Sequence, residues 1–158
     1  MKLRNLKNLP VFYRDTAQVI GRVERAIIGD SFEIAYLIIN SDDRTQKMIK
    51  KSDFHIGHNS IVINDLDCIK SYAHGEELTI YEQKIGDTLF DKEGKELGVL
   101  SDFVVVKDQK QISGVEVSSG IIQDLLEGRQ ELPLDQIHWA SAKSGVINEE
   151  GGEETGWS

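Results

Sequence analysis

Hydrophobic and polar positions along this chain alternate in short β-type runs, and the same succession of runs occurs twice. Leu9-Pro10-Val11-Phe12-Tyr13, then Val19-Ile20-Gly21-Arg22-Val23 leading into Ala26-Ile27-Ile28, and then Tyr36-Leu37-Ile38-Ile39 form the first series. Gly86-Asp87-Thr88-Leu89-Phe90, then Glu96-Leu97-Gly98-Val99-Leu100 leading into Phe103-Val104-Val105, and then Gly114-Val115-Glu116-Val117 form the second. Period-two alternation rich in β-branched residues specifies strands, and self-similarity at a fixed spacing specifies a repeated unit. The expectation is an all-β protein of two tandem units, residues 1–78 and 79–148, followed by an acidic tail over 149–158.

Turn chemistry divides the runs. Asp15-Thr16-Ala17 separates two strands of a hairpin, Gly29-Asp30-Ser31 makes the next turn, and Asn40-Ser41-Asp42-Asp43 ends the third strand with side chains that favour turns over ladders. Ser60 to Asn64 and Cys68 to Tyr72 read as two further short strands. In the second unit, Asp91-Lys92-Glu93-Gly94-Lys95 reads as a tight hairpin, with Gly94 free to adopt positive φ. Leu97 to Lys107 and Gln111 to Val117 form the next strand pair, joined by Asp108-Gln109-Lys110. Ser118-Ser119-Gly120 offers an N-cap for a short helix over Ile121 to Glu127, which Gly128 would stop. A segment broken by Pro133 and a last strand near Lys143 to Ile147 complete the unit. Ala73 to Glu77 reads as a linker or helical turn, and the tail that includes Trp157 lacks apolar periodicity.

The run Ile85-Gly86-Asp87-Thr88-Leu89-Phe90-Asp91-Lys92-Glu93-Gly94-Lys95-Glu96-Leu97-Gly98-Val99-Leu100-Ser101-Asp102-Phe103-Val104-Val105, with the later Leu132-Pro133-Leu134-Asp135-Gln136-Ile137, resembles the PRC-barrel domain. Leu6 to Ile39 is similar as a first copy, with Ser52-Asp53-Phe54 standing where Leu134-Asp135-Gln136 stands in the second. The first copy departs from the pattern where Arg14-Asp15-Thr16-Ala17-Gln18 replaces the Asp-x-x-Gly turn. The resemblance implies two small antiparallel β-barrels. It also implies a binding or assembly role without catalysis, since the family includes the cytoplasmic domain of the photosynthetic reaction-centre H subunit and a domain of a ribosome maturation factor.

Composition narrows the chemistry. The chain has 158 residues, 39% of them hydrophobic and 28% charged, as in globular proteins. A unit of half this length buries only about 60% of its unfolded surface, so the copies are expected to pack on each other or across a dimer. No apolar run is long enough to span a membrane, and the basic start Met1-Lys2-Leu3-Arg4 lacks the apolar stretch of a secretory signal, so a cytoplasmic location is expected. Cys68 is the single cysteine, which excludes an intramolecular disulfide and a multi-cysteine metal site and reads as apolar filler. His55 and His58 lack the carboxylates or helical spacing of a metal site, His138 reads as a packing residue, and no metal or other cofactor is expected.

Residues 1–80 are electrically balanced, so the net charge of −9 falls entirely on the rest. Polyphosphate partners would be repelled by the second unit. The one dense basic patch is Arg44, Lys47, Lys50 and Lys51, read as a solvated loop and as the candidate contact for RNA or another anionic partner. The leading reading is therefore a non-enzymatic protein-interaction or assembly module with protein partners. The alternatives are ribosome or RNA maturation through that basic face, and peripheral docking to a membrane complex.

Overall fold

The computed structural model describes residues 1–72, 84–90, 93–120, 128–134, 137–141 and 144–147. The expected helix over 121–127, the linker over 73–77 and the tail over 149–158 lie outside them. Strands dominate, arranged in two sheets. By compactness the chain divides into Met1–Thr79 with Val105–Gln111, and Ile80–Val104 with Ile112–Ser158.

In the first unit a single 3-10 turn, Leu3–Leu6, buries Leu6 and leads into β1 (Pro10–Tyr13). Pro10 stands at the first position of the strand, where its missing N–H costs no ladder bond. β2 (Gln18–Ile28) pairs antiparallel with β1 and with β3 (Ile34–Ser41), and β3 in turn pairs with β4 (Gln46–Lys50). β5 (His55–Ile56) and β6 (Ile61–Ile63) form a small antiparallel pair, and β6 runs parallel to β1 through Val11↔Ile61. β7 (Lys70–Ser71) adds to β4, giving the order β5-β6-β1-β2-β3-β4-β7.

Strict alternation fails at two places in the first unit. Ala26, Ile27 and Ile28 are consecutive buried residues at the end of β2, and Leu37, Ile38 and Ile39 are consecutive buried residues in β3. Consecutive burial means that both faces are covered there, as in fully enclosed strands. Register shifts at Val23/Arg25 and Ile27/Ile28 re-aim the end of β2.

In the second unit β8 (Thr88–Phe90), β9 (Glu96–Val106), β10 (Gln111–Ser118), β11 (Gln130–Pro133), β12 (Ile137–Ser141) and β13 (Ser144–Ile147) form a sheet of order β11-β10-β9-β8-β13-β12. β13 runs parallel to β8, and Pro133 closes a strand at one end of this order, where prolines are tolerated. Read from β5 and from β12, the two orders match over six strands, including the parallel pair, and β7 is additional to the first. Gly94 has φ of 85° with nothing within 4 Å of an added Cβ, as its hairpin turn requires.

Three segments differ from their sequence expectation. Gln46 to Lys50, expected as part of a charged loop, is the strand β4. Its alternation was hard to see because only Ile49 is fully buried while its neighbours are long side chains that reach solvent. His55-Ile56, outside the strands read from the sequence, pairs with β6. Cys68 to Tyr72 contributes only the short β7, because Leu66–Cys68 forms a 3-10 turn capped by the Asp65 side chain.

Candidate anion-binding groove beside strand β4

The four candidate cations occupy three kinds of backbone. Arg44 sits in the β3–β4 turn at φ of 67°, its N–H donating to the Ser41 carbonyl at 2.9 Å. Lys47 and Lys50 are in β4, and Lys51 begins a 3-10 turn, Lys51–Asp53. Side chains alternate faces along a strand, so Lys47 shares a face with buried Ile49 while Lys50 shares the opposite face with Gln46 and Met48. The cross-strand partners agree: Lys47 lies opposite Ile39 and Lys50 opposite Tyr36.

This geometry splits the basic cluster between two depressions. One, of about 650 Å³, is lined by Asn40, Arg44, Thr45, Gln46, Lys47, Ser71 and Tyr72. The other, of about 470 Å³, has Tyr36, Met48, Lys50, Lys51 and Lys110 among its lining residues. In the second groove Lys51 and Lys110 are already engaged. Lys51 Nζ meets Glu33 Oε2 at 2.6 Å, and Lys110 Nζ donates to the Lys51 carbonyl at 2.6 Å while lying 4.7 Å from the centre of the Phe54 ring. Burial lowers the Lys110 pKa, Lys51 lowers it further, and Asp53 opposes the shift.

The first groove is polar and its walls are fixed from behind. Gln46 Nε2 donates to both Glu24 carboxylate oxygens at 2.8 Å, which leaves its carbonyl oxygen pointing away from Glu24. Arg25 Nη2 donates to the Tyr72 hydroxyl at 3.3 Å. Asp43 is occupied by the turn, accepting from the Thr45 N–H at 3.0 Å and from its hydroxyl. Those hydrogen bonds hold the Asp43 carboxyl below the usual aspartate range, with Lys47 adding a smaller effect. The groove thus offers two cations, an aromatic ring, amides and hydroxyls.

Tyr72 is one residue of the groove that the sequence does not reveal. The basic segment carries no aromatic side chain of its own, and Tyr72 reaches it only because β7 pairs with β4 through Lys47↔Ser71 and Met48↔Lys70. Two short strands far apart in sequence leave no local signal for such a pairing. Lys110 was missed in the same way, arriving from the β9–β10 connection that counts with the first unit.

In the second unit Glu116 is 3% exposed, with Ser101 Oγ 2.8 Å and Arg129 Nη1 3.0 Å from its Oε1. Charge-assisted hydrogen bonds of this kind hold a buried carboxylate in place. Among the described residues no group of three His, Cys, Asp or Glu side chains is placed to hold a metal ion, and no helix is long and apolar enough to cross a membrane. His55 and His58 are exposed, the first in β5 and the second in the turn before β6.

Neither the known protein-family models nor the curated proteins give a match to this chain. The functional reading therefore rests on the residues themselves.

Proposed function

We propose that the chain is a non-enzymatic interaction or assembly module made of two tandem PRC-barrel-like units, residues 1–78 and 79–148, that works in the cytoplasm with protein partners. The observation that carries this reading is the shared strand order, β5-β6-β1-β2-β3-β4 against β12-β13-β8-β9-β10-β11, with a parallel pair at the same place in each. A sheet that curls until its ends meet would make each unit a small closed barrel, and closure would remove the exposed edges that invite aggregation. Gly21 and Gly98 support the same equivalence. Each lies where a backbone carbonyl of the next strand comes close, Asn40 for the first and Ser118 for the second.

The test is affinity capture of the tagged chain from a native lysate with and without RNase. A defined set of proteins that survives RNase supports the module reading. Ribosomal proteins that disappear with RNase would replace it with RNA maturation, and specific turnover dependent on a named side chain would replace it with an enzyme. The division of Arg44, Lys47, Lys50 and Lys51 between two grooves weighs against one continuous RNA-binding face.

A further inference from the structure

We propose that the groove between the β3–β4 turn and β7 is a binding site for a mononucleotide, with Arg44 and Lys47 taking the phosphate and Tyr72 facing the base. Three features of the groove argue for this ligand. Its two cations can hold a dianion, and an arginine can do so through two parallel N–H donors. Its amide and hydroxyl side chains, from Asn40, Gln46, Thr45 and Ser71, supply both acceptors and donors, which an inorganic anion would not use and a nucleoside would. Its volume of about 650 Å³ far exceeds a lone phosphate and falls within the roughly 300–1,000 Å³ of small-molecule sites.

Charge distinguishes a single nucleotide from a strand. A polynucleotide draws its affinity from releasing counterions at many phosphates, and the basic residues that could meet them are divided between two grooves. One nucleotide confines its charge to the side of Arg44 and Lys47. The back wall is preset, because Glu24 fixes the Gln46 amide and Arg25 holds the Tyr72 hydroxyl, so less ordering is lost on binding.

Isothermal titration calorimetry of the full chain with AMP, UMP, adenosine and inorganic phosphate tests this, with backbone amide NMR of the same samples. The expected result is binding of a nucleotide at least tenfold tighter than adenosine or phosphate alone, with shifts at residues 44–47 and 71–72. The variant Arg44→Asn keeps a residue that tolerates the left-handed φ, and Arg44→Asn with Lys47→Gln should weaken nucleotide binding by about tenfold or more, the value of a lost charge-assisted hydrogen bond. Lys50→Gln, in the other groove, should leave it unchanged. The proposal is overturned if no nucleotide binds at millimolar concentration or if the wild-type shifts map elsewhere. It is equally overturned if Lys50→Gln weakens binding as much as the double variant, or if a ten-nucleotide single strand binds far more tightly than tenfold over AMP.

Discussion

Gly21→Ala isolates the close approach of β2 to β3. Gly21 sits opposite Ser41 in the ladder, and a Cβ there would run into the Asn40 carbonyl oxygen while lying 3.1 Å from Ser41 Cα and 3.2 Å from the Asn40 carbonyl carbon. All three are backbone atoms, so no side chain can swing aside and the strands must part by several tenths of an ångström. Overpacking of this kind costs about 1–3 kcal/mol, and the stiffer unfolded chain returns about 0.4–1 kcal/mol of it. The net loss should be about 1–2 kcal/mol, which for a chain of this length lowers Tm by roughly 2–8 °C. Circular dichroism melts and urea titrations of wild type and variant measure it. Gly94→Ala is the control, since that glycine has open space and suffers only from its φ of 85°. Asparagine, which tolerates a left-handed backbone, should recover stability at position 94 and worsen it at position 21. A Gly21→Ala protein as stable as wild type, or more stable, would refute the reasoning.

Arg129→Met removes the guanidinium from buried Glu116. Because the Arg129 side chain is 44% exposed, the loss should be about 1–2 kcal/mol in urea denaturation rather than the larger cost of stripping a fully buried pair. Lys51→Ala breaks the ion pair with Glu33, whose side chains are each 33% exposed, and should change stability by less than about 1 kcal/mol, with the difference shrinking in high salt. Burial chiefly, with the Asp53 and Asp65 carboxylates adding to it, pushes the Cys68 thiol up, so the thiolate fraction at neutral pH is reduced. Alkylation by iodoacetamide should be slower than for an unfolded thiol and should rise at higher pH, and urea should abolish the difference. Asp43 has a lowered folded pKa, so its contribution is present above the unfolded value and lost as the pH falls through the folded one. In Thr45→Val the NMR titration midpoint of Asp43 should move upward.

Legibility in the sequence followed the depth of burial. β2, β3, β9 and β10 are long and apolar enough to announce themselves, as Ala26-Ile27-Ile28 and Leu37-Ile38-Ile39 do in the first unit. β4 was illegible because in Gln46-Lys47-Met48-Ile49-Lys50 one buried isoleucine is not a pattern, and the lysines resemble a solvated loop until the ladder to β3 is known. β5 and β7 have two residues each, too few for any period to show. Density along the sequence is blind to faces, so Arg44, Lys47, Lys50 and Lys51 look like one cluster that the strand divides.

That division has a consequence for how a small sheet can carry a site. Inside the unit, β3 spends Leu37, Ile38 and Ile39 on burial and reaches the groove only at its far end, through Asn40. β4 pairs on its other flank with the two-residue β7, and its Gln46 and Lys47 line the groove together with Arg44 from the turn and Tyr72. Such a strand can keep Ile49 in the core and still present Gln46 and Lys47 at its opening end, beside Arg44 in the turn. Lengthening β7 would pair more of β4 and narrow the groove. A variant engineered to extend the β4–β7 ladder should therefore gain stability while losing whatever binds at Arg44 and Lys47, a trade that a purely structural role for these two cations would not produce.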